Sequence, residues 1–154
     1  MERTLVLLKP DAIQRDLVGE IISRLERKGL KIAGLKLMTL SDELLREHYS
    51  HLVERPFFPE VKSFMQLTPV VALCLEGKGA VAVVRQTVGI TNSREAAPGT
   101  IRGEFSMSMQ ANLIHCSDSL ETAAVEVPRF FQPQEIFEYD DVQATYLYNS
   151  SERD

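Results

Sequence analysis

The feature that most constrains the fold is an alternation of strand-like apolar runs with segments of helical periodicity. Thr4 to Leu8 is typical of a buried strand, Lys31 to Thr39 alternates loosely, and Val70 to Leu75 is a continuous apolar run typical of a central strand. Asn112 to His115 ends a fourth strand. Strands separated by helices predict a single-domain α/β sandwich, here with its helices on one face of the sheet.

Apolar residues at helical spacing lie between these strands. The first predicted helix carries Val18 to Leu25, the second follows a cap at Ser41, and the third covers 57–65. The fourth ends at Gly89, and the last runs from Leu120 to Phe130. The stretch from Ile90 to Gly103 has little periodicity and predicts a long loop. One domain should span residues 1–154, with a C-terminal tail from about residue 140 whose polar end we expect to fray.

Composition limits the classes of function. The 154 residues are 44% hydrophobic and 25% charged, which is ordinary for a soluble globular protein. The net charge of −5 argues against broad nucleic-acid binding, and no apolar run reaches the roughly 20 residues of a membrane helix. Cys74 and Cys116 lack metal or redox spacing, and the N-terminus lacks the layout of a signal peptide. We therefore expect a cytoplasmic location.

The segment from Asn112 to Asp118 gives the strongest indication of chemistry. It places His115 at a strand end, where a side chain can face a cleft beside backbone N–H groups that attract phosphate. Imidazole is also a competent nucleophile near neutral pH. The alternative is a histidine that only caps the following helix. His48 and His51 lie on a charged helical stretch and are interpreted as surface residues.

A phosphoryl group would need positive charge around it. Lys9, Arg85 and Arg102 are cations that loops or helix ends could bring to one cleft, and Thr91 and Asn112 offer neutral hydrogen bonds. Each residue also has a structural interpretation. The cations could be solvated surface residues, and the two neutral residues could belong to turns. For the aromatic residues Tyr49 and Phe57, the alternative interpretation is packing in the core.

Four motifs, in their order and spacing, resemble those of nucleoside diphosphate kinase. They are Lys9-Pro10-Asp11-Ala12, Arg55-Pro56-Phe57-Phe58, Pro98-Gly99-Thr100-Ile101-Arg102-Gly103 and the histidine segment. The resemblance runs from about Arg3 to Tyr148. It implies a ferredoxin-like β-α-β-β-α-β fold with a four-stranded antiparallel sheet.

The resemblance also implies an activity. His115 would attack the γ-phosphate of a nucleoside triphosphate, become phosphohistidine, and pass the phosphoryl group to a nucleoside diphosphate. This is a ping-pong reaction with broad base tolerance. Mg²⁺ would be bound mainly through the nucleotide phosphates rather than by a protein cage. Asp118 would help to position the loop after the histidine.

The same resemblance implies roles for the residues around the sugar and phosphates. Lys9 and Asn112 would contact the ribose hydroxyls, and Lys9 would also reach the transferring phosphate. Arg85, Thr91 and Arg102 would hold the β- and γ-phosphates.

Further roles concern the base and the imidazole. Phe57 would stack on one side of the base, with Met109 opposite. Tyr49 would hydrogen-bond near the reacting phosphate and the imidazole. Glu126 would fix the histidine ring through its other nitrogen, and Ser117 would support Glu126.

Three positions depart from the common pattern of the family. Cys116 stands where a small residue usually follows the histidine, and its thiol could make the site sensitive to oxidation. Ser93 replaces a frequent proline, which could loosen the long loop. Pro128 lies inside the last helix, where a kink could alter how Glu126 meets His115.

The tail segment Ala144-Thr145-Tyr146-Leu147-Tyr148 is apolar and aromatic but lacks the period of a helix. It resembles the C-terminus of hexameric family members, which packs on a neighbouring subunit, so we expect a homohexamer. The alternative is a tail that folds back on its own subunit.

Two other functions stay open at this point. A non-catalytic nucleotide-binding module would be favoured by a missing histidine, lysine or arginine, and none is missing. A purely structural protein with the same fold predicts that Lys9, Arg85, Arg102 and His115 do not cluster.

Overall fold

The computed structural model describes residues 1–153, and its centre is one four-stranded antiparallel sheet. The strands are β1 (Glu2–Leu8), β2 (Lys31–Met38), β3 (Val70–Gly77) and β4 (Ile114–Cys116). Their order across the sheet is β2-β3-β1-β4, and every neighbouring pair is antiparallel. The predicted fold class, a single domain with a four-stranded antiparallel sheet and helices, is confirmed.

Within residues 1–153, eight α-helices connect or flank the strands. They are α1 (Pro10–Gln14), α2 (Val18–Arg27), α3 (Asp42–His48), α4 (Phe58–Met65), α5 (Ala80–Val88), α6 (Ile101–Phe105), α7 (Leu120–Phe130) and α8 (Ala144–Leu147). Ser41 caps α3 by accepting a backbone N–H group, as predicted, and Ser119 caps α7 in the same way. No helix within residues 1–153 is both long and apolar enough to cross a membrane.

The expectation that the helices lie on one face of the sheet is wrong. Alternate residues of β1 point to opposite faces, and both faces are buried. Val6 and Leu8 pack in one cluster with residues of α2 and α5. Leu5 and Leu7 pack in a second cluster with residues of α3, α4 and α7. The central strands are continuous apolar runs because helices cover both of their sides.

The long loop predicted from Ile90 to Gly103 is more ordered than expected. It contains a 3₁₀ turn at Ser93–Glu95, and its end forms α6, which Thr100 caps by accepting the N–H of Gly103. Short helices carry too few apolar repeats to show a period in sequence.

The C-terminal tail also contains structure that its sequence did not indicate. Residues 144–147 form α8, and a 3₁₀ turn lies at Ser150–Glu152; a further 3₁₀ turn, Pro133–Glu135, precedes the tail. The tail and the residue before it contact the body of the domain: the hydroxyl of Tyr139 donates to the carbonyl of Ile32, and that of Tyr148 accepts the N–H of Lys78. Tyr146, in contrast, is 91% exposed.

The pairing of β1 with β4 places the ends of distant segments together. Leu7 pairs with His115, so these residues share the sheet face on which α7 packs. Just past β1, the backbone N–H of Lys9 donates to the carbonyl of Leu113 at 2.8 Å. The sheet therefore brings Lys9 and the histidine segment to one edge, although they are about a hundred residues apart in sequence.

Candidate active site

A cavity of about 680 Å³ opens at this edge of the sheet. Nine of the predicted site residues line it, and they come from β4, three helices and the connecting loops: Lys9, Tyr49, Arg85, Thr91, Arg102, Met109, Asn112, His115 and Glu126. The clustering of Lys9, Arg85, Arg102 and His115 excludes the purely structural interpretation, which predicted that they lie apart.

His115 is held through one ring nitrogen. Its Nε2 lies 3.1 Å and 3.2 Å from the two carboxylate oxygens of Glu126 on α7. An ionised carboxylate only accepts hydrogen bonds, so the proton of the neutral ring resides on Nε2 and Nδ1 keeps a lone pair. Because the ring is half-buried at the cavity wall, this lone pair is the reactive group that His115 offers.

Glu126 is buried, and its charge is supported by hydrogen bonds. The hydroxyl of Ser117 donates to its Oε2 at 2.6 Å and also accepts the backbone N–H of Leu5. Burial opposes the charge, but hydrogen bonds from His115 and Ser117 outweigh this effect and lower the pKa of Glu126 below its usual value. Ser117 does not line the cavity; it acts from behind the carboxylate.

His48 is not the surface residue that its charged surroundings indicated. It is 6% exposed and lies edge-on to His115, with ring centroids 4.6 Å apart. Burial lowers the pKa of His48 to about 3, with His115 as the second cause, so the ring is neutral at ordinary pH. His48 follows Leu45 by three residues on the apolar stripe of α3, and this spacing is the signal from which its burial could have been predicted.

Lys9 forms the polar floor of the cavity with Asn112. Its Nζ donates to Oδ1 of Asn112 at 2.7 Å, and the Asn112 amide donates to the carbonyls of Thr91 and Met109. Burial, assisted by repulsion from Arg102, lowers the pKa of Lys9 to about 8. Lys9 is therefore a cation poised near its titration point.

Arg102 lies in α6 rather than in a loop and is 7% exposed. Its guanidinium donates to the backbone carbonyls of Gly89 at 2.9 Å, Asn112 at 3.3 Å and Ile114 at 2.5 Å. Three of its five N–H donors are thus committed to the frame of the cavity, and two can serve a ligand. Arg102 both fixes the backbone around the histidine and supplies positive charge.

Arg85 and Asp118 form an ion pair at the cavity mouth. Nη1 of Arg85 lies 2.6 Å from Oδ1 of Asp118, and both side chains are largely exposed. An exposed pair of this kind contributes only about 0–1 kcal/mol, so an incoming anion can exchange places with the carboxylate. Thr91, also exposed, lines the same cavity.

The residues predicted to contact the base and the imidazole differ in whether they line the cavity. Tyr49 lines the cavity, its ring lies 4.7 Å from that of His48, and burial with the nearby charge of Glu126 raises its pKa to about 12. Phe57 precedes α4, is 47% exposed and does not line the cavity. Met109, 62% exposed, does line it.

Asp11 is a site residue to which the sequence analysis assigned no role. Its Oδ2 accepts the backbone N–H of Leu113 at 3.0 Å, and Leu113 has a φ of 72°, a left-handed conformation that is strained for leucine. Asp11 thereby holds the turn that precedes the histidine. Its partner is 102 positions away, so no local pattern could have revealed the contact.

The departures from the family pattern leave the histidine in place. The thiol of Cys116 is buried in the cluster formed by α2 and α5, and burial raises its pKa. A raised pKa disfavours the thiolate form through which oxidation proceeds, although Cys116 also lines the cavity. Pro128 is inside α7, yet the helix continues to Phe130 and the Glu126 carboxylate reaches the imidazole.

Comparisons with known proteins point to one family. A family model described as nucleoside diphosphate kinase matches residues 2–136. A relative from Parabacteroides distasonis, named nucleoside diphosphate kinase, is 53% identical over 152 residues, with 99% of each chain covered. A relative of the same name from Pyrococcus horikoshii is 51% identical over 141 residues, with 90% of each chain covered.

Solved structures agree with the sequence relatives. A halophilic nucleoside diphosphate kinase from Halobacterium salinarum in complex with CDP has a TM-score of 0.93 and 42% identity, covering 96% of this chain and 99% of its own. A nucleoside diphosphate kinase from Encephalitozoon cuniculi has a TM-score of 0.91 and 39% identity, covering 96% of this chain and 100% of its own. With sequence, fold and cavity in agreement over nearly the whole length, the chain belongs to the nucleoside diphosphate kinase family.

Proposed function

We propose that this enzyme moves the γ-phosphate of a nucleoside triphosphate to a nucleoside diphosphate through a phosphohistidine at His115. The observation that carries the proposal is the state of the His115 ring, with Nε2 bound to Glu126 and a lone pair on Nδ1. Lys9 and Arg102, which line the same cavity, supply the positive charge that a phosphoryl group requires.

The reaction proceeds as two displacements at one site. The Nδ1 lone pair forms a bond to the γ-phosphorus while the bond from phosphorus to the β-phosphate oxygen breaks, and the nucleoside diphosphate departs with that electron pair. A second diphosphate then attacks the phosphohistidine, and the imidazole leaves with its lone pair restored. The proton on Nε2 of His115 stays in place in both displacement steps.

Glu126 acts on the charge that the ring develops. As Nδ1 attacks, the imidazole becomes more positive, and a carboxylate at 3.1 Å stabilises it more than it stabilises the resting ring. The hydrogen bond from Ser117 keeps this carboxylate ionised and oriented. Ser117 is therefore a positioning residue that acts through Glu126.

Mg²⁺ would enter with the nucleotide, where it neutralises phosphate charge. Among residues 1–153, one group of three histidine, cysteine or carboxylate side chains is close enough to bind a metal, and it is His48, His115 and Glu126. Two imidazoles suit softer metals, whereas Mg²⁺ takes oxygen ligands. Asp118, exposed beside Arg85 at the cavity mouth, is a carboxylate that would be available to an ion bound on the phosphates.

Broad base tolerance is part of the proposal. The amide of Asn112 is committed to Lys9 and to backbone carbonyls, so it is not free to read a base edge. Met109 offers an apolar contact, which accepts any base. The structure of the Halobacterium salinarum relative contains CDP, a pyrimidine nucleotide.

A homohexamer is also proposed. Leu35 and Leu37, on the edge strand β2, are 52% and 63% exposed, and an exposed apolar edge strand favours association. In the tail, Tyr146 and Val142 are also exposed, whereas the Leu147 side chain packs against Gly29 of its own subunit. The tail therefore has one face on its own subunit and one face free for a neighbour.

The first prediction tests the nucleophile. Incubation with γ-labelled ATP and no acceptor should give an acid-labile, base-stable phosphoprotein with the label on His115 alone. His115→Ala should abolish labelling because the attacking lone pair is lost, while nucleotide binding is largely retained. The exposed His51→Ala variant is the matched control and should label normally. Label that persists in His115→Ala would refute the assignment.

The second prediction concerns the charge of Lys9. Since its pKa is about 8, its ammonium is present below that pH and is lost above it, so phosphoryl transfer should decline as pH rises past about 8. Lys9→Gln should lower turnover by the equivalent of about 2.7–4 kcal/mol and remove this alkaline decline.

Tyr49 cannot produce the same decline, because its pKa of about 12 keeps the phenol protonated through this range. The measurement is the pH profile of turnover for the intact chain and for Lys9→Gln, together with diphosphate affinity. Equal losses of turnover and affinity would instead place Lys9 in ground-state binding alone.

The third prediction is weak discrimination between bases. Rates with adenine, guanine and pyrimidine diphosphates, measured from the isolated phosphoenzyme, should fall within roughly tenfold, or ~1.4 kcal/mol. A difference of several orders of magnitude would show that the cavity reads the base edge.

The fourth prediction concerns assembly. Light scattering should give six copies of the 17.4 kDa chain. Deletion from Ala144 onward should lower the thermal unfolding midpoint, because it removes contacts such as that of Tyr148 with Lys78, and should split the assembly. A monomeric intact chain would contradict the hexamer.

A further inference from the structure

His48 is a buried titratable group to which the reaction above gives no role. Its ring lies edge-on to His115 at 83°, with Tyr49 and Phe130 around it at centroid distances of 4.7 Å and 5.0 Å. Packing alone would be served as well by an apolar ring. The nitrogen atoms of His48 therefore need an explanation.

Nδ1 of His48 stands between two opposite charges. It lies 3.5 Å from Nη1 of Arg129 and 3.7 Å from Oε1 of Glu126. A guanidinium only donates hydrogen bonds, so its contact with Nδ1 requires a lone pair there and places the ring proton on Nε2. Nε2 is buried and has no hydrogen-bond partner within residues 1–153.

The surroundings of His48 keep its ring neutral. The charged and titratable groups that face it are His115 on β4, Glu126 and Arg129 on α7, and His51 on the following turn. Burial is the largest cause of its low pKa, and of these groups only Glu126 favours the charged form. A neutral ring between a cation and an anion separates them without adding charge of its own.

We propose that His48 is a positioning residue that separates the guanidinium of Arg129 from the carboxylate of Glu126, so that Glu126 remains free to accept the Nε2 proton of His115. The inference rests on the proposed function. Arg129 and Glu126 are three residues apart on α7, a spacing at which helical side chains are neighbours. The two would pair directly if nothing stood between them.

Arg129 is also held from outside. Its Nε donates to Oε1 of Glu47 on α3 at 2.9 Å, and its Nη1 reaches His48. These two contacts occupy two of the N–H groups of the guanidinium. α3 thus supplies both the anion that holds Arg129 and the neutral ring that shields Glu126 from it.

Loss of this separation would weaken the preparation of His115. A carboxylate paired with Arg129 accepts the Nε2 proton of His115 less strongly, because guanidinium and imidazole compete for the same oxygens. The His115 ring would then populate the tautomer with its proton on Nδ1. That tautomer has no lone pair to attack phosphorus.

Two substitutions distinguish the nitrogen from the ring. His48→Phe keeps the aromatic packing and removes the acceptor, whereas His48→Asn retains an acceptor close to the Nδ1 position. We expect His48→Phe to mix the His115 tautomers, as measured by ring ¹⁵N chemical shifts, and to slow phosphohistidine formation about tenfold. His48→Asn should keep the parent tautomer and stay within about threefold of the parent rate.

Arg129→Gln provides the decisive comparison. Added to His48→Phe, it removes the competing cation, so the tautomer ratio and the rate should return toward the parent values. The coupling between the two positions should be at least about fivefold. If His48→Phe leaves the tautomer unchanged, or if Arg129→Gln fails to correct its defect, His48 only packs and the proposal is overturned.

The tautomer ratio needs no turnover, so it tests His48 even if the proposed function fails. If the intact chain forms no phosphohistidine, the function is refuted, while the ¹⁵N shifts still decide between separation and packing. Circular dichroism and thermal unfolding check each variant. His48→Leu, a second substitution without an acceptor, replaces His48→Phe if that variant does not fold.

Discussion

The hydrogen bond between Nε2 of His115 and the carboxylate of Glu126 is the interaction on which the site depends. It fixes the tautomer, the ring orientation and the atom that faces the cavity. Much of the surrounding fold holds these two groups together. Pairing of β1 with β4 sets the position of His115, and the packing of α7 across β1 delivers Glu126 to the same sheet face. Ser117 and Asp11 then fix the carboxylate and the turn before the histidine.

Burial gives the cavity residues different electrostatic properties. It lowers the pKa of Lys9 to about 8 and that of His48 to about 3, and it raises that of Tyr49 to about 12. Burial makes the charged form of Lys9 costly unless an anion or another polar partner compensates it. Arg102 avoids much of this cost by donating to three backbone carbonyls. Under the proposed function, this positive charge is already in place where the phosphates would bind.

Sequence patterns predicted the strands, the main helices and most of the cavity lining, because periodicity and short motifs are local signals. They failed where the answer depends on distant partners. The contact between Asp11 and Leu113, for example, joins segments far apart in sequence. Two errors had usable signals. Continuous apolar strands indicated helices on both faces, and the spacing from Leu45 placed His48 on the apolar stripe of α3.

The most direct test of the account is the position of the phosphoryl group within the histidine ring. After incubation with a nucleoside triphosphate and no acceptor, rapid isolation and NMR of the phosphoprotein distinguish phosphate on Nδ1 from phosphate on Nε2. Because Glu126 holds the Nε2 proton, the account predicts phosphate on Nδ1 of His115 and on no other atom. Phosphate on Nε2, or on a different residue, would contradict it.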